Sequence, residues 1–172
     1  MYIVKNYNFV GYDEFFIKIM PEIIELITPH GISEDAVDEF VGSFTEAVCN
    51  AAQYSVDGMD SAKIFINLIL TNEQLKITVG SVTTSFDANS LRSSLKKLAV
   101  SEAGNLDWQQ YVGTSQQGRG IWLMLSYFDA VCIGSDGNEI TLISRLPLRC
   151  TEVNTIKKIV HKFFVVENGV IT

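Results

Sequence analysis

Two polar residues that could act on a phosphate group lie close together in the first third of the chain. Glu46 and Asn50 are four positions apart in a segment with helical spacing, so both side chains are expected on one face of a helix. An amide oxygen is a suitable ligand for Mg²⁺, which bridges phosphates. A carboxylate one turn away can orient or deprotonate a hydroxyl aimed at a phosphoryl group. Taken alone, the pair is also typical of an ordinary polar stripe.

A second candidate for phosphate binding is the tripeptide Gly118-Arg119-Gly120, which precedes the apolar helical segment 121–128. Glycine lets a backbone without Cβ atoms approach phosphates, and the amide groups and positive dipole end of the following helix favour anions. Arg119 can add charge-assisted hydrogen bonds. In isolation, the tripeptide is more often a simple turn from a loop into a helix.

The elements that would position these residues follow an α/β pattern. Hydrophobic periodicity predicts a strand over 2–10, helices over 12–29 and 34–54, strands over 62–70 and 74–82, a helix over 121–128, and strands over 129–135 and 139–146. Ser33 is the expected N-cap of the second helix, and Pro21 is expected to kink or restart the first. Helices on one face of a mostly antiparallel, mixed sheet make an α/β (α+β) two-layer sandwich.

Two segments fall outside this regular pattern. Residues 83–117 are rich in Ser, Asn, Gln and Gly, with a short helical signal from three leucines, and a connection of that length predicts a lid. Toward the C-terminus, positions 151–161 could form a helix and 162–166 a strand. We therefore predict one domain over 1–147 with its lid at about 83–117, and a C-terminal extension of the same domain over 148–172.

Composition and charge exclude several classes of function. The chain has 172 residues, a net charge of -7 and 47% hydrophobic residues, which is a globular composition. The absence of a basic run argues against a nucleic-acid partner. No apolar run approaches the about 20 residues that cross a bilayer, and no signal-peptide pattern is present, so a cytoplasmic protein without membrane association is expected. The three cysteines match no metal pattern and are expected to be reduced.

Three segments together resemble one family. Glu46–Tyr54 resembles the N-box of the GHKL superfamily, the histidine kinase-like ATPases with the Bergerat fold: a helix carrying Glu, then Asn four residues on, and often His, where this chain has Gln53. Gly118–Asp129 is similar to the glycine motif and following helix of the bacterial anti-sigma-factor serine kinases. Val79–Asp87 lies at the place of the adenine-binding motif. Their order and spacing, over about residues 1–147, identify the chain as a member of this superfamily.

The resemblance implies an anti-sigma-factor-like regulatory protein that binds ATP and Mg²⁺ and phosphorylates a serine on a STAS-type antagonist. It implies that Glu46 is the catalytic base, that Asn50 holds Mg²⁺ and that the Gly118–Gly120 loop cradles phosphates. The implied nucleotide-binding residues are Asn50, Gln53, Ser81, Thr83, Ser85, Gly113, Gly118, Arg119 and Gly120. The implied partners are a sigma factor, a STAS-domain antagonist or both, and the implied assembly is a homodimer.

The adenine motif departs from the family pattern Asp-x-Gly-x-Gly-Phe-Asp. When Phe86-Asp87 is aligned with the final Phe-Asp, Ser81 replaces the adenine-reading Asp, and Thr83 and Ser85 replace the two glycines. Ser81 can accept a hydrogen bond but carries no charge, so the affinity for adenine is expected to fall by about one to two decades. A second hypothesis is therefore a pseudo-kinase, a protein-binding module without nucleotide activity. A third, the detached ATP-binding domain of a sensor kinase, is disfavoured by the small size and the lack of a helix with a phospho-accepting His.

Some residues have two interpretations at this stage. Tyr2, Val4, Phe15 and Phe16 could form a dimer interface or belong to the core, and the core is the preferred interpretation. Phe86-Asp87 could belong to the adenine motif, or could be a loop anchor followed by a helix N-cap.

Overall fold

One face of a mixed β-sheet carries the helices of this protein. The computed structural model describes residues 2–30, 33–84, 86–113, 118–149 and 155–171. Within these ranges the strands are β1 (Tyr2–Val10), β2 (Lys63–Thr71), β3 (Gln74–Gly80), β4 (Ala130–Gly134), β5 (Glu139–Arg145), β6 (Phe163–Glu167) and β7 (Val170–Ile171). Their order across the sheet is β1-β2-β3-β5-β4-β6-β7. The pair β4–β6 is parallel, and the other neighbours are antiparallel.

The helices lie in groups between these strands along the chain. They are α1 (Met20–Ile27), α2 (Glu34–Gln53), α3 (Ala88–Val100), α4 (Trp108–Val112), α5 (Arg119–Tyr127) and α6 (Ile156–Ile159). A π-helical turn at Phe15–Ile19 leads into α1, and short 3₁₀ turns lie at Thr28–His30, Met59–Ser61, Glu102–Asn105 and Val160–Lys162. Pro21 lies in the first turn of α1, where its missing N–H breaks no helical hydrogen bond, so the predicted restart is confirmed. No helix in the described ranges has the length and apolarity needed to span a membrane.

The core lies between the helices and one face of the sheet. Successive residues of β2 alternate between buried and half-buried, as expected for a strand with helices on one side. One buried row crosses the sheet through paired positions: Leu68, Ile77, Leu142, Val131 and Phe163. Each of these side chains contributes about 1.5–3 kcal/mol by leaving water. The predicted two-layer α/β sandwich with a mostly antiparallel sheet is confirmed.

Helix α2 is positioned by its N-cap and by α5. The Ser33 hydroxyl accepts a hydrogen bond from the backbone N–H of Ala36 (3.3 Å), as the sequence predicted. The Tyr127 hydroxyl donates to the Ala36 carbonyl (3.0 Å) near the same end of α2. Farther along, the Ser43 hydroxyl donates to the Leu123 carbonyl (3.2 Å). The two helices therefore run antiparallel, and the C-terminal half of α2 meets the beginning of α5.

The segment 83–117, predicted as a lid, contains more helix than its leucine signal indicated. Helix α3 has 13 residues, and it is followed by a 3₁₀ turn and α4. Leu95 and Trp108 are buried, and α3 contacts β6 and α6 at the C-terminal end of the chain. Residues 85 and 114–117 lie outside the described part of this segment.

The C-terminal extension adds strands to the sheet. The predicted strand over 162–166 is confirmed as β6, which lies parallel to β4. The helix predicted over 151–161 corresponds to α6 and the 3₁₀ turn after it, beginning at Ile156, while residues 151–154 lie outside the described ranges.

The preferred interpretation of the N-terminal apolar residues is wrong for three of them. Phe15 is fully buried, but Tyr2 is 70% exposed, Val4 43% and Phe16 42%. Tyr2 and Val4 belong to β1, the edge strand, and their side chains are on the face of the sheet that no helix covers. Alternation along β1 indicates which residues share a face, but not which face the helices cover.

Candidate functional site

The two phosphate-binding motifs of the sequence meet in the structure. Glu46 and Asn50 lie half-buried on α2, facing the beginning of α5. A Cβ atom built on Gly120 would lie 2.6 Å from Glu46 Oε2 and 3.3 Å from Asn50 Nδ2. The first distance is shorter than real Cβ contacts allow, so a side chain at this position would displace the Glu46 carboxylate. The structure therefore brings a carboxylate, an amide and a helix N-terminus to one place.

The start of α5 has the features of an anion-binding end. Gly118 has φ +77° in the left-handed region, and nothing lies within 4 Å of where its Cβ would be. No side chain in the described ranges caps the nine-residue helix α5, so its first backbone N–H groups are not occupied in that way. Arg119 is exposed at the first helical position. Uncapped N–H groups and the helix dipole favour a bound anion here.

Ser81 stands where the family has its adenine-reading carboxylate, and its hydroxyl already has a partner. The residue is 5% exposed, and Ser81 Oγ donates to the backbone carbonyl of Ala51 over 2.7 Å. Ala51 lies in the last turn of α2, where carbonyl groups lack partners within the helix. Ser81 therefore ties the end of β3 to α2, and only its oxygen lone pairs remain for an adenine amino group.

The segment after β3 is fixed from both sides. The backbone N–H and the hydroxyl of Thr83 both donate to Asn138 Oδ1, over 2.9 and 3.1 Å. On the other side, the N–H of Val56 donates to the carbonyl of Val82 (2.9 Å). Asn138 was not among the predicted site residues, because its Asp-Gly-Asn context indicates only a turn. Its role depends on a contact between residues far apart in the chain.

Asp87 is the N-cap of α3. Its Oδ1 accepts a hydrogen bond from the backbone N–H of Ser90 (2.9 Å), and its Oδ2 accepts one from the Ser90 hydroxyl (2.7 Å). These bonds, the backbone one foremost, hold the pKa of Asp87 below its usual value. Phe86 packs against the turn at Gly137, where an added Cβ would lie 2.5 Å from Phe86 Cβ. The interpretation of Asp87 as a helix N-cap is confirmed.

Cys49 lies next to the candidate catalytic carboxylate in sequence. It is half-buried, and burial, with a smaller contribution from the charge of Glu46, raises the pKa of its thiol. Cys49 is therefore a protonated thiol at neutral pH and not a reactive thiolate. Asn50, the next residue, can still act as a metal ligand through its amide oxygen.

Three predicted site residues remain to be placed: Gln53, Gly113 and Ser85. Gln53 is the last residue of α2 and is exposed. Gly113 follows α4 with φ +58°, and nothing lies within 4 Å of where its Cβ would be. Ser85 lies outside the described residues.

The residues present fit the phosphate and Mg²⁺ part of a nucleotide better than the adenine part. The amide of Asn50 and the carboxylate of Glu46 lie against a glycine backbone in a cradle that a Cβ would fill. Oxygen donors of this kind suit Mg²⁺, and the start of α5 suits phosphate. At the adenine end, Ser81 offers an uncharged acceptor in place of a carboxylate. Bound nucleotide would therefore be held mainly through its phosphates.

Comparison with known families gives one match that covers most of the chain. The model of the histidine kinase-like ATPase domain matches residues 19–144. This range begins just before α1, ends near the end of β5 and includes Glu46, Asn50 and Gly120. A comparison with curated proteins produced no match.

Proposed function

Since the chain belongs to the histidine kinase-like ATPase family, whose domains generally bind ATP and Mg²⁺, we propose that it is a regulatory protein that binds Mg-ATP and phosphorylates a serine on a protein partner. The observation that carries the proposal is the contact of Gly120 with Glu46 and Asn50. Residues from two distant motifs form one cradle, and a phosphate with its metal is the ligand that suits a carboxylate, an amide and a helix N-terminus together.

Each residue of the cradle has one role in this proposal. Asn50 Oδ1 holds Mg²⁺, and the backbone N–H groups at the start of α5 hold phosphate oxygens, with Arg119 adding positive charge. Bound Mg-ATP would supply the γ-phosphoryl group and leave as Mg-ADP. Glu46 accepts the proton of the partner's serine hydroxyl, which makes that oxygen a better nucleophile. Ser81 accepts a hydrogen bond from the adenine amino group while donating to Ala51.

The proposed partners follow from the similarity of Gly118–Asp129 to the anti-sigma-factor serine kinases. The phosphorylated serine belongs to a STAS-domain antagonist, and the second partner is a sigma factor that the protein holds until the antagonist competes for it. This partner exchange takes place in the cytoplasm. The exposed Tyr2, Val4 and Phe16 provide apolar area for the proposed homodimer.

The first experiment is a calorimetric titration with Mg-ATP and Mg-ADP. We expect saturable binding that Asn50→Ala abolishes and that Asn8→Ala, at an exposed position on β1, leaves unchanged. Absence of heat at millimolar nucleotide in the folded wild type would reject nucleotide binding.

The second experiment tests phosphotransfer. The protein is incubated with Mg-ATP, labelled at the γ-phosphate, and a STAS-domain protein from the same organism. Glu46→Gln keeps the shape of the side chain but cannot accept a proton, so we expect it to bind Mg-ATP and to transfer label at a rate about 10²–10⁴-fold lower. Equal transfer by the wild type and this variant would exclude Glu46 as the base.

A specific observation favours a second function, protein binding without nucleotide activity. Ser81 and Thr83 occupy the adenine motif with hydrogen bonds to the protein itself, to Ala51 and to Asn138. The calorimetric titration separates the two functions. A folded protein that binds a STAS-domain protein or a sigma factor, but no nucleotide at millimolar concentration, is a binding module.

A further inference from the structure

A cavity of about 430 Å³ lies at the far end of α5 from the phosphate cradle. The nine residues of α5 span about 13 Å, from the glycine motif to Tyr127, which lines the cavity. Strand β5 gives the same separation, because Glu139 pairs with Gly80, next to the Ser81 that bonds Ala51 of α2, while Arg145, at its other end, lines the cavity. The two sites therefore share elements but no residues.

The charge of the cavity is opposite to that of the chain. Its lining includes the cations Arg145, Arg149 and Lys162 and the carboxylate Asp129. Arg145 engages this carboxylate twice, through Nη2 to Oδ1 (3.2 Å) and through its backbone N–H to Oδ2 (2.7 Å). Three positive charges and one negative charge leave two positive charges, on a chain whose net charge is -7. Within the described ranges, neither Arg149 nor Lys162 forms a salt bridge.

The surroundings of the Lys162 ammonium group favour a bound anion. Its side chain is half-buried, and its Nζ donates a long hydrogen bond to the carbonyl of Ser126 (3.4 Å). Burial lowers the pKa of Lys162, and the charge of Asp129 opposes this only in part. An anion in the cavity would stabilise the ammonium group, because opposite charges attract strongly where water is partly excluded.

Ser144 adds a hydroxyl group to the lining of the cavity. It is only 3% exposed and lines the cavity from the helix-facing side of β5. A hydroxyl group beside these cations is suited to donate a hydrogen bond to an anion.

We infer that this cavity binds a small organic anion, a phosphate monoester or a carboxylate with an apolar body. Arg149, Lys162 and Ser144 hold the anionic group, and the apolar segment 146–148, together with the ring of Tyr127, contacts the body. The volume fits a molecule of about one ring, in the lower part of the range for small-molecule sites. The inference does not rest on the proposed function, since it uses none of the cradle residues.

The test is a titration of the full chain, in the Asn50→Ala background, with phenyl phosphate and benzoate. This background removes the proposed Mg²⁺ ligand of the cradle, and the Arg149 and Lys162 variants show which part of the remaining signal comes from the cavity. We expect saturable binding of at least one probe. Arg149→Met and Lys162→Met each raise its dissociation constant about tenfold or more, because each removes a charge-assisted contact. Lys158→Met, at an exposed lysine of α6 outside the cavity, is the matched control and leaves the constant unchanged.

Two results would overturn the inference. One is the absence of saturable binding of either probe at about 10 mM. The other is binding that Lys158→Met weakens as much as Arg149→Met, which would indicate attraction to lysine and arginine in general. Arg149 is exposed, so its substitution should leave the fold intact even where Lys162→Met disturbs it, and circular dichroism of each variant checks this. A preference for one probe supports the inference and identifies the anionic group.

Discussion

At the scale of single residues, the cradle depends on the absence of a Cβ atom at Gly120. Gly120 lets the backbone of α5 come against Glu46 and Asn50, and the Glu46 contact lies at the far end of a flexible side chain. An added Cβ would therefore displace the carboxylate and leave the helix in place. Function and stability should separate at this position.

Gly120→Ala should reduce nucleotide binding with little effect on the fold. Crowding of Asn50, the proposed Mg²⁺ ligand, weakens its charge-assisted contact, which predicts a dissociation constant for Mg-ATP about tenfold or more higher. The free energy of unfolding should change by less than about 1 kcal/mol, since alanine favours helix and the clash is with a mobile atom. Calorimetry and urea denaturation measure the two effects.

Gly42→Ala is the matched control. Gly42 lies on the exposed side of α2 with nothing within 4 Å of where its Cβ would be, so alanine should stabilise the protein by about 0.5–1 kcal/mol and leave nucleotide binding unchanged. Equal loss of binding in both variants would contradict the role given to Gly120.

The contacts of Ser81 show which features of the site the spacing of residues in the sequence cannot predict. The spacing of Glu46 and Asn50 predicted a shared helix face because a helix fixes positions four residues apart. The partner of Ser81 is a carbonyl at the end of α2, and Asn138 reaches Thr83 from another turn. Both contacts depend on how strands and helices dock, so no local pattern contains them.

Ser81→Ala should destabilise the protein by about 1–3 kcal/mol, because the Ala51 carbonyl would lose its donor in a buried place. Ser94→Ala is the control: its hydroxyl also donates to a backbone carbonyl, that of Ser90 (3.0 Å), but at an exposed site of α3. Its effect should stay within about 0.5 kcal/mol. Denaturation in urea compares them, and equal effects would show that burial of Ser81 is unimportant.

At the scale of elements, α3 shows why the sequence gives only a short helical signal in the predicted lid segment. Its sequence contains three serines and two lysines, and only Ala88 and Leu95 are buried, so periodicity alone gives a short signal. The helix is specified instead by its N-cap, Asp87, and by Leu95, which is buried against elements contributed by the C-terminal extension. That extension was the least regular part of the sequence, and its docking on α3 could not be predicted.

The Asp87 cap makes the stability of this region depend on pH. The folded pKa is lowered, so the stabilisation is present above the unfolded value of about 3.9 and is lost as pH falls through the folded pKa. Asp87→Ala should therefore lower the urea midpoint at pH 7, and its difference from the wild type should shrink at pH values below about 4. Asp87→Asn keeps a capping oxygen and should resemble the wild type at pH 7. A difference between Asp87→Ala and wild type that is constant down to pH 3 would rule out the carboxylate as its source.

At the scale of the whole molecule, the sheet joins the C-terminal extension to the rest of the chain. Strand β6 is inserted beside β4 as a parallel neighbour, and Phe163 continues the buried row that crosses the sheet. The sequence predicted this strand and its membership of the same domain, but a parallel partner is set by the path of the chain and not by the strand's own residues. The extension should therefore be a structural part of the domain.

Two adjacent phenylalanines test this integration. Phe163 is 4% exposed on the helix-covered face, whereas Phe164 is half-buried on the opposite face of β6. Phe163→Ala should cost about 3–5 kcal/mol through lost burial and a cavity, and Phe164→Ala clearly less. Fluorescence of Trp108 and Trp122 and far-ultraviolet circular dichroism should follow one urea transition at one shifted midpoint, because the row couples β6 to β4 and β5. If Phe163→Ala instead produced an early, separate transition, the extension would unfold by itself and the sheet would not be a single cooperative unit.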